Sequence, residues 1–287
     1  MSTSVPARIR GAADVLAAAG VAAPVVEAEL LLAAVLGRPR TQLRLSPDLS
    51  AEQEAAYARL VQRRATREPL QYLLGSAFFR HVELAVGPGV FVPRPETELL
   101  VDAVLPHLRG LNQPVIVDLC AGSGALGLAV VDECPAAVVT VVERGPEALR
   151  WLHTNVDRLG RGRVSVVAAD VLDAALLTDA SLLGGLAGRV DAVVANPPYV
   201  PAATPVGPEV EHDPPEAVFA GWDGLALMPG LIAVAAGLLQ CGGVLAIEHG
   251  DTHRAALVAG LDRDSWRDVI DHDDLTGRPR FVTAVRR

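Results

Sequence analysis

Four consecutive residues, Asn196-Pro197-Pro198-Tyr199, bring together an amide side chain, carbonyls without a neighbouring N–H, and an aromatic ring. Such a set can grip a planar group bearing an NH2: two acceptors meet its two hydrogens, and a ring face packs against its plane. The residues before them, Ala192-Val193-Val194-Ala195, are a short apolar run of the kind found in strands buried on both faces. Each Pro removes a backbone donor and fixes φ, and the residue before it is kept out of the helical region. The strand therefore ends at Asn196, and the clamp stands on a stiff loop.

A second stretch, Asp118-Leu119-Cys120-Ala121-Gly122-Ser123-Gly124, follows an apolar strand and opens a helix. Gly122 and Gly124 allow a ligand to approach the backbone at that helix N-terminus. Glu143 lies about 20 residues on, at the end of the next strand, where an acid bonds the hydroxyls of a ribose. Asp170 ends the strand after that. Two acids at consecutive strand ends beside a Gly-rich turn suit an adenosine and disfavour a phosphate-rich ligand. Residues 122–127 match a dinucleotide-binding pattern only in part. The order of an acid, Asp118, four residues before Gly122 suits S-adenosylmethionine, whose cationic end an acidic site attracts.

The elements that position these groups follow from periodicity and punctuation. Residues 5–74 read as helical, with segments near 12–19 and 25–36, and a third opened by Ser50 with Gln53 three residues on, a capping-box spacing. Residues 78–86 and 90–92 read as two strands turning at Gly87-Pro88-Gly89. A helix spans 99–108. From Pro114 onward strands at 115–119, 138–142, 164–168, 190–195 and 243–248 alternate with helices at 125–131, 146–159, 225–239 and 252–261, the pattern of a parallel sheet covered by helices. Residues 266–271 and 281–285 close it. Between 201 and 217 lie five prolines among acidic residues, a long loop beside the clamp with the makings of a lid. The expected division is a helical domain at 1–75, a β-hairpin linker at 76–92, and an α/β domain at 93–287.

The 287 residues are 51% hydrophobic, ample for a core, yet no apolar run reaches membrane-spanning length without a charge or a Pro/Gly break. The first ten residues lack a secretory pattern, so a cytoplasmic protein is expected. The formal charge of −9 argues against nucleic acid as a main partner. Arg59, Arg63, Arg64 and Arg67 form a local basic cluster, read as a solvated helix face. Cys120, Cys134 and Cys241 are odd in number and widely spaced, which fits reduced thiols rather than a disulfide frame or a zinc site. His153, His249 and His253 show no metal-ligand spacing, and no metal is expected.

The chain resembles the HemK/PrmC family of protein-(glutamine-N5) methyltransferases. The resemblance is carried by Pro93-Arg94-Pro95-Glu96-Thr97-Glu98, by Asp118 to Gly124 and by Asn196-Pro197-Pro198-Tyr199. Arg67-Glu68-Pro69-Leu70-Gln71-Tyr72, Asp223-Gly224-Leu225, Glu248-His249-Gly250 and Asp274-Leu275-Thr276-Gly277-Arg278 support it. It implies a seven-stranded, Rossmann-like S-adenosylmethionine-dependent methyltransferase domain with a reversed last strand, beside a small N-terminal helical domain for substrate docking. It implies methyl transfer to the side-chain amide of the Gly-Gly-Gln glutamine of class 1 peptide chain release factors, leaving S-adenosylhomocysteine. Asn196, Pro197 and Tyr199 are then the catalytic residues, with Pro198 completing the substrate clamp. Asp118, Cys120, Ala121, Gly122, Ser123, Gly124, Glu143, Asp170, Val171 and Asn196 contact the cofactor. Relatives often carry Gly-Thr where this chain has Cys120-Ala121, and an aromatic residue where it has Val171. A monomer without membrane or nucleic-acid partners is expected. The rival readings are an adenine-N6 methyltransferase using the same clamp on a flipped base, a non-catalytic S-adenosylmethionine-binding protein, and a nicotinamide oxidoreductase.

Overall fold

The computed structural model describes residues 4–46 and 48–287. They divide into two compact units, one running to Ser76 and including Val206–His212, the other comprising Ala77–Pro205 and Asp213–Arg287.

The first unit is helical: α1 (Val5–Ala18), α2 (Pro24–Leu36), α3 (Ala51–Ala65) and α4 (Leu70–Leu74). Leu16, Leu31 and Leu32 are fully buried in its core. A proline starts α2, and Gly37 stops it in the left-handed conformation, φ 58°. At α3 the Gln53 backbone N–H donates to Ser50 Oγ while the Ser50 N–H donates to Gln53 Oε1, a reciprocal cap. The basic cluster carries its own counter-charges: Arg63 pairs with Glu68, buried Arg64 with Glu27 and Glu209, and Arg67 with Glu209.

The second unit opens with a two-stranded hairpin, β1 (Ser76–Phe79) and β2 (Val82–Ala85). This differs from the expected hairpin. The chain already turns at Arg80, held at φ 50° with its N–H donated to Glu98 Oε1, and residues 90–92 join no ladder. Gly87-Pro88-Gly89 is instead a landing surface for α7 (Pro146–Leu159). A Cβ on Gly87 would lie 2.4 Å from Trp151 Cζ2, and one on Gly89 2.6 Å from Glu147 Cβ. The Trp151 indole N–H donates to Pro88 O at 3.2 Å. Glycine is required there by close approach.

The main sheet holds β3 (Val115–Leu119), β4 (Val138–Glu143), β5 (Val164–Ala168), β6 (Val190–Ala195), β7 (Leu239–Glu248), β8 (Trp266–Asp273) and β9 (Pro279–Arg286). Its order is β5-β4-β3-β6-β7-β9-β8, with β3 to β7 parallel and β9 antiparallel to both of its neighbours. Central β3 and β6 are almost wholly buried, whereas the edge strands β5 and β8 alternate toward solvent, which blunts their open edges. The covering helices are α5 (Glu98–Leu108), α6 (Ala125–Glu133), α7, α9 (Met228–Leu238) and α10 (Arg254–Gly260). Val117, Leu119, Val193, Ala195, Leu245 and Ile247 share one apolar cluster with Leu231 of α9 and Leu257 of α10. Alternation turns Asp118 to the other face, against α6.

The proline-rich loop after β6 is pinned rather than open. Val200 bridges Phe219, the Ala202 N–H donates to Gly221 O, and the loop contains the short helix α8 (Pro215–Val218). Its return is anchored by Asp213, which accepts from the Val92 N–H and from Arg94 at 2.6 Å. Among the described residues, no helix is long and apolar enough to cross a membrane.

At α6, a Cβ on Gly127 would sit 2.8 Å from Val141 Cγ1 and 3.1 Å from Val139 Cγ1. Gly127→Ala forces helix and sheet apart and is expected to destabilise the protein by about 1–3 kcal/mol, read as a lowered urea midpoint at unchanged slope.

Candidate active site

Strand register places the chemistry. Leu119 pairs with Val142 and with Ala195, and Ala195 pairs with Ile247. The next residue of each strand is therefore in one row across the carboxyl edge of the sheet: Glu143, Cys120, Asn196 and Glu248, at steps of about 4.8 Å. The order reverses between β3 and β6, with β4 and β5 on one side and β7 on the other. Open α/β sheets bind ligands at this point.

On the β4 side lies the glycine loop. Glu143 Oε2 accepts the Gly122 N–H at 2.9 Å, and Oε1 accepts those of Arg144 and Gly145. Glu143 thus caps its own turn and ties it to the loop, while Oε2 keeps one acceptor position for a ligand hydroxyl. Cys120 adopts the left-handed conformation, φ 61°, at a cost of roughly 1–2 kcal/mol to a residue with a side chain. Burial pushes its thiol pKa up, aided by the nearby charge of Glu143. Ala121 and Ser123 are buried, and a Cβ on Gly122 would meet open space. Asn155, missed in the sequence, holds the loop from beneath: its amide exchanges bonds with both backbone groups of Ala85 and donates to Ser123 O at 3.0 Å.

Asp118 is fully buried, with Oδ2 accepting the Gly127 N–H at 2.9 Å. Among the described residues Oδ1 has no hydrogen-bond partner. Burial, and then the charge of Glu143, raise its pKa to about 7. Asp170 is more committed than its position in the sequence suggests. Oδ1 accepts the Leu172 N–H and Oδ2 pairs with Arg144 at 2.8 Å, which together hold its pKa below the ordinary value. Val171 is buried in the apolar cluster of the sheet.

On the β6–β7 side lies the clamp. Pro197 and Pro198 are buried, Asn196 and Tyr199 half-buried. Asn196 Nδ2 donates to Thr97 Oγ1 at 3.0 Å, and Thr97 donates to Glu248 Oε2 at 2.6 Å. The Tyr199 hydroxyl donates to Glu248 Oε1 at 2.9 Å. Arg280, salt-bridged to Asp274, reaches the same hydroxyl at 3.5 Å. Gly224 packs so closely under the clamp that a Cβ there would lie 2.2 Å from Tyr199 O. Thr97, Glu248, Asp274 and Arg280 were absent from the expected site, although three of the motifs quoted above contain or adjoin them. The signal was a polar residue, Glu248, ending an apolar strand at the same level as Asn196.

The glycine-loop half fits S-adenosylmethionine on its own features. It offers an unpartnered buried carboxylate oxygen, a second acid with a spare acceptor, and an open glycine surface. A cation and a pair of hydroxyls answer that set of acceptors.

Residues 9–75 match the PrmC N-terminal domain and residues 82–206 the methyltransferase small domain. The release factor glutamine methyltransferase of Mycolicibacterium smegmatis is 47% identical over 281 residues, covering 97% of this chain and 96% of that protein. That of Streptomyces coelicolor is 43% identical, with coverage of 97% and 96%. In fold, the catalytic domain of hMettl16 aligns with a TM-score of 0.53 at 13% identity, over 71% of this chain and 75% of that one. With such identity sustained along nearly the whole sequence, the chain belongs to the release factor glutamine methyltransferase family.

Proposed function

We propose that the protein transfers a methyl group from S-adenosylmethionine to the side-chain amide nitrogen of the glutamine in the Gly-Gly-Gln motif of class 1 peptide chain release factors. The observation that carries this reading is the orientation of Asn196. Its NH2 is committed to Thr97, so its Oδ1 is the branch left for a substrate. An acceptor in that place suits an NH2-bearing group, and the names of relatives at 43–47% identity supply the glutamine. The reading carries with it a cytoplasmic enzyme acting as a monomer on a protein substrate.

S-adenosylmethionine would supply an electrophilic methyl group on a cationic sulfur. Asp118, the Cys120 to Gly124 loop, Glu143 and Asp170 would hold it, with Asp118 facing its charged end and Val171 beneath. The amide nitrogen of glutamine is a poor nucleophile because its lone pair is delocalised. Asn196 Oδ1 and the Pro197 carbonyl accept its two hydrogens and fix its plane, and Tyr199 packs against that plane with Pro198 stiffening the turn. Holding the reactants aligned lowers the barrier by removing orientational freedom beforehand. The two acceptors also stabilise positive charge as it develops on nitrogen. The methylated nitrogen then loses its proton readily to water, so no base is assigned.

The test is methyl transfer from labelled S-adenosylmethionine to a release factor, to the same factor with the Gly-Gly-Gln glutamine changed to alanine, and to duplex DNA. Label on the intact factor alone is expected; label on DNA would transfer the clamp to adenine, and none at all would remove the reading. Asn196→Ala should lower turnover about 100-fold with cofactor affinity unchanged. Glu143→Ala should reverse that pattern, weakening cofactor binding roughly tenfold before turnover at saturation suffers. Asp118 adds a pH signature. Its pKa in the folded protein is raised from 3.8 to about 7, so its contribution to stability is full at acid pH and is lost as pH rises through that window. Asp118→Asn should flatten the fall in melting temperature of the free protein between about pH 4 and 7 while weakening cofactor binding.

A further inference from the structure

Glu248 is buried, carries both halves of the clamp, and has no part in the reaction as described so far. Its two carboxylate oxygens are each filled by a clamp partner: Oε2 by Thr97, Oε1 by Tyr199. We propose that Glu248, as a carboxylate, is the positioning residue that decides which end of the Asn196 amide is turned to the substrate. The inference rests on the clamp reading above and deepens it.

The argument is one of hydrogen-bond polarity. Thr97 Oγ1 lies 2.6 Å from Glu248 Oε2 and 3.0 Å from Asn196 Nδ2. A hydroxyl has one hydrogen to give, and a carboxylate can only accept. Thr97 therefore donates to Glu248 and accepts from Asn196. That leaves Asn196 one orientation, NH2 inward and carbonyl outward. Tyr199 is fixed by the same acceptor from the other side, its hydroxyl donating to Oε1 while Arg280 approaches it at 3.5 Å. Protonating Glu248 breaks this order. Two donors already point at the carboxyl group, and a hydrogen added on Oε2 along the 2.6 Å line to Thr97 can be received there only if the hydroxyl turns its own hydrogen away. If Thr97 reverses, its hydrogen meets Asn196 and the amide must turn over. Asn196 then presents NH2 to a substrate that is itself NH2-bearing, and one of the two acceptors is gone.

The surroundings put this change within reach of ordinary pH. Burial raises the Glu248 pKa, and Glu96, before α5, adds to that; Thr97, Tyr199 and Arg280 oppose it, with a net value of about 6. Arg280 is shared with Asp274, and His249, next along β7, is paired with Asp271 rather than with Glu248. The carboxylate form, and with it the acceptor at Asn196, is present above that pH and lost below it.

Three variants of the full-length protein test the proposal. Glu248→Gln keeps shape and removes charge, Thr97→Val removes the hydroxyl, and Thr97→Ser retains it. Release-factor methylation by Glu248→Gln and by Thr97→Val is expected to fall at least tenfold in kcat, with cofactor Kd by calorimetry within twofold of the native value. Thr97→Ser should restore most of the rate lost in Thr97→Val. At saturating S-adenosylmethionine, the acid limb of the native pH–kcat profile should lie near pH 6 and vanish in Glu248→Gln. A readout without turnover is the side-chain amide signal of Asn196 in 15N-labelled protein, which should shift through the same pH range in native protein and stay fixed in Glu248→Gln. Native kcat in Glu248→Gln or Thr97→Val, equal loss of cofactor affinity and turnover, or an Asn196 signal that does not titrate would each overturn the proposal. Failure of the glutamine reading would show differently, as native protein inert toward release factor while the Asn196 signal still titrates.

Discussion

The parallel register of β3, β4, β6 and β7 is the constraint on which the site depends. It brings Glu143, Cys120, Asn196 and Glu248 to one level at the edge of the sheet, although they are spread over more than a hundred residues of sequence. A slip by one residue would turn each of these side chains to the other face and bury a carboxylate among the valines. The apolar faces prevent it: Val117, Leu119, Val193, Ala195, Leu245 and Ile247 all belong to one cluster with α9 and α10. Packing that looks purely structural therefore sets the distances between the groups of the candidate site.

The buried carboxylates Asp118 and Glu248 solve different problems. Glu248 has both oxygens hydrogen-bonded within the protein and works as an internal strut. Asp118 has one oxygen bonded and one left over. An unsatisfied buried acceptor costs stability, and such defects gather where a ligand completes the structure. Cys120 adds backbone strain at the same loop. The glycine-loop half is thus poised for an incoming group, whereas the clamp half is already assembled.

Much of this was legible in the sequence because it is local. Strands 115–119 and 190–195 stand where their apolar runs put them, and the glycine loop and the Asn-Pro-Pro-Tyr turn follow directly from residue type. What escaped is long-range or competes with a local rule. The bond from Thr97 to Glu248 spans 151 residues, and that from Asn196 to Thr97 spans 99, so neither leaves a spacing to read. The hairpin was misjudged because Gly87-Pro88-Gly89 is a stronger turn signal than Arg80-His81. Those glycines serve the approach of Trp151 and Glu147, while an arginine takes the positive φ. The pairing of Asp170 with Arg144 left no spacing to read either, because Arg144 lies on another strand end.

The position of β9 has a consequence for how the molecule is made. In vectorial synthesis residues 279–286 leave the ribosome after every other strand of the sheet, yet they insert between β7 and β8. Until then β7 has one bare edge and β8 has no partner at all. Glu248 pairs with Phe281, and the His249 N–H is received by Arg280 O, so the inner wall of the clamp closes only with this last addition. The glycine loop, framed by β3 to β5, needs none of these residues, whereas the clamp wall needs β9 in place, and without it β7 would carry a sticky, unpaired edge.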